Sequence, residues 1–134
     1  MKTIALNIGE AVSALLTGSD ELKAVVGDKI YPLHAKDDAE YPFVVFSNIS
    51  TSTGSNKDAL IYEELATEAI VICAKTYQQS VDIAKLVTNI LQFESRKEVA
   101  GLSIRESELT SRSEAFQYTS DGFTQALSFE MHIE

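Results

Sequence analysis

The fold is decided by a stretch in which a strand-like run is followed at once by a helix-like run. The first run is Thr67-Glu68-Ala69-Ile70-Val71-Ile72-Cys73-Ala74, and the second is Ser80-Val81-Asp82-Ile83-Ala84-Lys85-Leu86-Val87-Thr88-Asn89-Ile90-Leu91. The first run is rich in β-branched residues, which favour strands. The second has one broad, mainly apolar face at helical spacing. A strand that leads directly into such a helix should be covered by it.

Both faces of this predicted strand are apolar. Alternation separates two sets, Ile70, Ile72 and Ala74 on one face and Ala69, Val71 and Cys73 on the other. A solvated face of an antiparallel sheet normally carries polar residues, so the strand is predicted to be covered on both sides. The helix at 80–92 covers one side, and either the N-terminal helix or another copy of the protein covers the other. Cys73 is then interpreted as an inert core residue.

The segments before this unit are predicted to be two helices and a long β-hairpin. Apolar residues at helical spacing indicate an amphipathic helix over residues 3–17 that ends at Gly18. Ser19 is the predicted N-cap of a short helix from Asp20 to Val26. After a brief extended piece, Ile30-Tyr31, and a polar loop over 33–40, a strand is predicted over 43–49. It pairs with a strand over 60–74 that is broken or bulged near Glu63-Glu64.

The polar loop of this hairpin has two interpretations. It is either a plain surface turn or an arm that reaches a neighbouring subunit, because loops often carry function. The candidate interface residues are Thr51, Ser52, Thr53, Gly54, Ser55, Asn56, Lys57 and Asp58.

The C-terminal part is predicted to add two strands. A mostly polar strand covers 103–110, residues 111–121 form a turn or bulged crossing, and a strand begins at Gly122 with clear alternation of period two. The sequence therefore predicts one domain over residues 1–134, of the α+β class. Its expected architecture is an antiparallel sheet of about four strands packed against two main helices and one short helix.

Composition limits the classes of function. The chain has 11 Lys and Arg against 20 Asp and Glu, a net charge of −9, which argues against a DNA-gripping surface but not against a passage through which DNA slides. A single cysteine excludes a disulfide framework and suits an intracellular fold. Charge at Glu10 interrupts the N-terminal apolar run, which excludes a secretion signal, and no run is long enough to span a bilayer.

Catalytic patterns are absent from the sequence. His34 lies in a predicted loop and His132 on the polar face of the last strand, without a second ligand at metal-site spacing. Glu106 and Glu108 share a strand face, where they are either a carboxylate pair or part of a solvated surface. The acidic loop with Asp37, Asp38 and Glu40 does not match a calcium-binding pattern. No nucleophile elbow, phosphate loop or dinucleotide fingerprint occurs, so neither an enzyme nor a cofactor is expected.

The order of several segments resembles the phage tail completion family, the small tail terminators and tail-to-head joining proteins. The similar segments are Ala14-Leu15-Leu16-Thr17, Leu22-Lys23-Ala24-Val25-Val26-Gly27-Asp28-Lys29-Ile30-Tyr31-Pro32-Leu33, Tyr41-Pro42-Phe43-Val44-Val45-Phe46, Glu68-Ala69-Ile70-Val71-Ile72-Cys73-Ala74, the helix from Ser80, and Phe123-Thr124-Gln125-Ala126-Leu127-Ser128-Phe129-Glu130-Met131. They extend over about residues 12–131.

This resemblance implies a bacteriophage or prophage structural protein of the virion tail, assembled in the bacterial host cytoplasm. It implies a ring oligomer, often six subunits, that caps the completed tail tube and joins it to the head connector. The implied partners are other copies of the chain, the tail tube protein and the head connector protein, with DNA passing through the ring and no membrane contact. The alternatives are a head-completion or neck adaptor protein and, from another class, a small-ligand-binding α+β domain with a deep apolar pocket.

Overall fold

The computed structural model describes residues 6–54, 63–117 and 121–134, which form a six-stranded mixed sheet curled into a half-barrel with three helices. The helices are α1 (Ile8–Thr17), α2 (Asp20–Val26) and α3 (Tyr77–Leu91). The strands are β1 (Ile30–Pro32), β2 (Phe43–Gly54), β3 (Glu63–Ala74), β4 (Lys97–Val99), β5 (Leu102–Gln117) and β6 (Gly122–Ile133). Their order across the sheet is β1-β2-β3-β6-β5-β4, and β1 alone pairs in parallel, with β2.

The prediction of an antiparallel sheet of about four strands against two main helices and one short helix is therefore wrong. The four long strands were recognised, but the sheet is extended at both edges by strands of three residues. Three residues are too few to show alternation, so β1 and β4 carry no readable period. The parallel pairing of β1 with β2 makes the sheet mixed.

Two strands are longer than predicted. Strand β2 continues through the polar residues to Gly54, because each residue from Ser50 onward still has a partner in β3. Strand β5 continues to Gln117, through residues predicted to turn. The predicted bulge at Glu63-Glu64 is also wrong, because the register shifts lie in β2 between Asn48 and Ser50 and at two places in β5. Backbone pairing with β3 and β6 keeps these polar segments in strand conformation in spite of their low apolar content.

All three helices pack on one face of the sheet and enclose the core. The predicted N-cap of α2 is confirmed, because Ser19 Oγ accepts from Leu22 N at 3.3 Å. The structure also shows a cap for α3 that the sequence analysis did not predict: Thr76 Oγ1 accepts from Gln79 N at 3.1 Å. The core joins buried residues of all three helices and four strands, among them Val12, Leu16, Leu22, Ile70, Ile72, Val87, Leu91, Phe129 and Met131. Within the described residues, no helix has the length and apolar content needed to cross a membrane.

The predicted double cover of β3 is only half realised. Ile70, Ile72 and Ala74 are fully buried under the helices, while Ala69, Val71 and Cys73 on the other face are only half-buried. Helix α1 lies on the same side as α3, where Gly9 is in contact range of the Phe46 ring. The interpretation that α1 covers the second face is therefore wrong, and so is the placement of Cys73 in the core.

Candidate assembly interface

The face of the sheet opposite the helices is called the open face here, and its centre is apolar or small. On the two central strands it consists of Ala69, Val71, Cys73, Thr124, Ala126 and Ser128. Cys73 Sγ lies 4.0 Å from Thr124 Oγ1, and burial raises the pKa of the Cys73 thiol. A raised pKa keeps the thiol protonated and weakly nucleophilic. The open face thus offers a packing surface without reactive groups at its centre.

Aromatic side chains lie at the β1–β2 side of the open face. The Tyr41 ring stacks on Phe43 with centroids 5.6 Å apart and an interplanar angle of 8°. Tyr31 meets Phe43 edge-on at 6.1 Å. The Tyr41 phenol lies over Gly122, where any Cβ would collide with it. A glycine at the start of β6 therefore admits the tyrosine against the sheet.

Charged side chains lie at the opposite end of the open face. Arg105 and His132 both contact Glu63 Oε1, at 2.7 Å from Arg105 Nη2 and 2.8 Å from His132 Nδ1. Glu108 and Glu130 face each other directly across β5 and β6. Their carboxylate oxygens and a His132 ring nitrogen lie within 4.8 Å of one another, which is the one such group of potential metal ligands among the described residues.

The charged side chains at this end of the open face form a solvated surface. Its acids are half-buried or exposed, and Glu63 and Glu106 are neutralised in part by Arg105. The sequence predicts Glu106 and Glu108 on one face of a strand, and His132 separately on the polar face of the last strand. The structure brings the three side chains together, because Glu106 pairs with His132 and Glu108 with Glu130. The contact of Glu63 with this group was not predictable from the sequence, because it depends on the long-range pairing of β3 with β6. His34 lies exposed in its loop, as do Asp37, Asp38 and Glu40.

The predicted interface residues divide into two groups. Thr51, Ser52, Thr53 and Gly54 belong to β2 and pair with β3, so they are part of the sheet rather than of a loop. Ser55, Asn56, Lys57 and Asp58 lie outside the described residues. No described strand pairs with the outer edge of β2 along this part. The first half of the candidate interface is therefore a strand edge.

A buried polar network fixes β5 beside the first turn of α3. Gln125 is fully buried on β6, and its Nε2 donates to Glu114 Oε2 at 2.8 Å and to Ser80 Oγ at 3.2 Å. Its Oε1 accepts from Arg112 Nε at 3.0 Å, and Arg112 Nη2 lies 2.7 Å from the same Glu114 oxygen. Hydrogen bonds from Gln125 first, and then from Tyr77, lower the pKa of Glu114. The sequence showed Gln125 only as an unexplained polar residue on an apolar face.

Comparison with solved structures gives two similar folds. A chain in the virion of a native gene transfer agent (GTA) particle aligns with a TM-score of 0.74 and 14% identity, over 97% of this chain and 98% of that chain. A second solved structure aligns with a TM-score of 0.60 and 14% identity, over 95% of this chain and 93% of its own. No protein-family model matches the sequence, and no curated protein matches it. At this identity the likeness shows a shared fold, whereas function depends on sites built on the fold.

Proposed function

We propose that this protein is a non-enzymatic structural subunit of a phage or prophage particle. It forms an oligomeric ring that caps the completed tail tube and joins it to the head connector. The observation that carries the proposal is the alignment, over nearly the whole of both chains, with a chain of a gene transfer agent virion. The resemblance of its ordered segments to tail completion proteins supports the same conclusion independently of the coordinates.

The surfaces of the chain are suited to assembly. A ring subunit needs two different surfaces that fit each other head to tail. The open face and the outer edge of β2 are both left accessible by the helices, which all pack on the other side. The interface proposed for the ring includes Thr51, Ser52, Thr53 and Gly54 in β2, and Ser55, Asn56, Lys57 and Asp58 beyond it. Six of these eight residues are uncharged, and burial of uncharged side chains against a neighbour costs less desolvation than burial of charged ones.

The charge of the chain supports the proposed position around DNA. A net charge of −9 repels phosphate, so a ring lumen with this character lets the genome pass without binding it. The proposed partners are other copies of the chain, as a hexamer, together with the tail tube protein and the head connector protein. The proposed place of assembly is the host cytoplasm, and the proposed final location is the virion tail.

The test is binding to tail tubes. The purified chain is mixed with polymerised tail tube protein from the same particle and sedimented, with a filled-head preparation in parallel. Co-sedimentation of the chain with the tubes, in an amount that corresponds to one ring at a single end of each tube, supports the tail-cap function. A chain that stays a monomer at high concentration and also with tubes contradicts it.

The neck adaptor is the second candidate within the same class of virion proteins. The alignment with a chain of the gene transfer agent virion supports the neck adaptor as much as the tail cap. Both functions need a ring subunit of this size. Co-purification separates the two: the tail cap follows completed tails, and the neck adaptor follows filled heads. The small-ligand-binding domain has less support, because the described cavities are open surface grooves rather than an enclosed apolar pocket.

A further inference from the structure

Within residues 6–54, 63–117 and 121–134, nothing pairs with the outer edge of β5 over six consecutive residues. Strand β4 pairs only with Leu102–Ile104, Phe93 pairs with Ser107, and Gln92 Oε1 accepts from Leu109 N. Beyond that point, no described residue pairs with the outer edge from Thr110 to Ala115, and all six residues are exposed. Unpaired strand edges are ready templates for another strand.

A groove runs beside this edge on the helix side of the sheet. It lies between α3 and β5 and has a volume of about 390 Å³. Val81, Ala84, Leu109 and Leu127 form its apolar part, and Lys85 and Arg112 lie at its rim. A free strand edge next to a helix-lined groove is the arrangement in which an extended segment binds by strand addition. The edge supplies backbone hydrogen bonds and the groove receives alternate side chains.

The outer edge of β2 is also open over a comparable length. Strand β1 covers β2 only from Val44 to Phe46, and Leu33 N adds one bond to Phe46 O. From Ile49 to Gly54, no described strand pairs with this edge. Ile49 is 59% exposed at the bulge, so its apolar side chain is available for packing against a neighbour. The segment Ile49–Gly54 contains no charged residue.

We propose that the β5 edge and its groove bind the β2 edge, Ile49–Gly54, of a second copy of this chain. The Ile49 side chain then lies against the apolar part of the groove, and the two sheets become continuous. This inference rests on the proposed function as a ring subunit and specifies the contact between neighbouring subunits.

Three features select a second copy as the occupant. Both free edges span six residues, about 20 Å at the rise of a strand, so they match in length. Strands β2 and β5 run in opposite directions within the sheet, so a neighbour in the same orientation presents an antiparallel partner. The segment is uncharged and therefore enters the groove of an acidic protein without repulsion.

The position of the two edges determines the kind of assembly. They lie on opposite sides of the sheet, so joining one to the other is a heterologous contact, which continues into a ring or a filament. Pairing of β5 with a second β5 would instead close a two-fold dimer and leave both β2 edges free. The two arrangements predict different cross-links.

Cross-linking of single-cysteine proteins tests the pairing. In a Cys73→Ser background, Ser52→Cys and Ser113→Cys place thiols on the open-face side of the two edges. Mixed and treated with a short bismaleimide, they should give at least tenfold more mixed dimer than either variant gives with itself. Ala24→Cys, exposed on α2, is the matched control and should not cross-link with Ser113→Cys. Self-cross-linking of Ser113→Cys in preference to the mixed product overturns the proposal.

Edge-blocking variants give the second readout. Ile49→Lys places a third positive charge beside Lys85 and Arg112 and should weaken self-association at least tenfold by sedimentation velocity. Val25→Lys, a partly exposed position on α2, should leave it unchanged. Equal thermal melts of the variants show that the monomer is intact. If wild type and Ile49→Lys both form rings and bind tail tubes equally, the pairing is wrong while the proposed function stands. If the mixed cross-link forms but tubes are not bound, the pairing stands and the tail-cap function is wrong.

Discussion

The Asn48 side-chain amide donates a 2.7 Å hydrogen bond to Glu68 Oε2 across the β2–β3 pair, next to the bulge of β2. Glu68 is 1% exposed, and its second carboxylate oxygen has no hydrogen-bond partner. Burial raises the pKa of Glu68 to about 7, and the bond from Asn48 only partly opposes this effect. The bulge and the buried acid are neighbours, because Asn48 is the cross-strand partner of Glu68 and the register shift of β2 follows directly after it.

This pKa predicts a pH dependence of stability. The pKa of the Glu68 carboxyl is 4.5 in the unfolded chain and about 7 in the folded protein, so the folded protein binds this proton more tightly. The free energy of unfolding therefore falls as the pH rises from about 4.5 through about 7. The loss is on the order of 3 kcal/mol, at about 1.4 kcal/mol per pH unit of difference. Glu68→Gln should remove this loss and be more stable than wild type at pH 8. Chemical denaturation at pH 5 and pH 8 measures both. The exposed Glu94→Gln is the control, and parallel pH curves for wild type and Glu68→Gln would refute the prediction.

The contact of Tyr41 with Gly122 predicts a steric effect. Gly122→Ala must displace the phenol from the sheet and should cost roughly 1–3 kcal/mol, the range for overpacking. Removing the ring with Tyr41→Ala should make the second substitution nearly neutral, so a double-mutant cycle isolates the contact. Gly9→Ala is the matched control, because its new methyl meets only the Phe46 ring at an ordinary 3.8 Å. Additive effects of the two substitutions would disprove the clash.

The Gln125 network predicts a coupled change in stability and titration. Gln125→Leu removes the buried amide that bonds Arg112, Glu114 and Ser80, and should lower the melting temperature, because the buried Ser80 hydroxyl loses one of its two hydrogen-bond partners. The pKa of Glu114 should rise toward its ordinary value, because the bond from Gln125 is the main cause that lowers it. Carboxyl carbon shifts in an NMR titration report this directly. Gln78→Leu, whose amide reaches only Asp82 on the surface of α3, should change neither quantity.

The charged end of the open face predicts a salt effect. Glu108 and Glu130 lie directly opposite each other, and such like-charged pairs cost about 0.2–1 kcal/mol. Glu130→Gln should therefore raise the melting temperature in low salt, and the gain should shrink in 0.5 M salt, where screening is strong. Scanning calorimetry at the two ionic strengths measures the difference. A gain that is independent of salt would point to a packing effect instead.

The sequence predicts local structure well and long-range pairing poorly. The β3–α3 unit, the Ser19 cap and the alternation of β6 were readable because each depends on neighbours in the chain. Strand β1 is predicted only as a brief extended piece, Ile30-Tyr31, without its pairing to β2, and β4 is not predicted, since three residues carry no period. The polar half of β5 is a strand only because β6 pairs with it. The prediction that α1 covers the second face of β3 is wrong for the same reason. Apolar residues on both faces of a strand predict that both faces are covered, but they do not show which surface covers each one.

The candidate site was predicted in part. The polar segment after residue 50 was singled out, and its first four residues, Thr51 to Gly54, are now seen as a strand edge. The groove between α3 and β5 had no signal in the sequence, because Val81 and Leu127 come together only in the fold. For residues 111–121 the sequence predicts a turn or a bulged crossing, where the structure shows the outer part of β5 up to Gln117.

Electron microscopy of the purified chain, alone and mixed with tail tubes of the same particle, tests the central claim most directly. The account predicts closed rings of the chain and one ring at a single end of each tube. Isolated monomers beside bare tubes would contradict it.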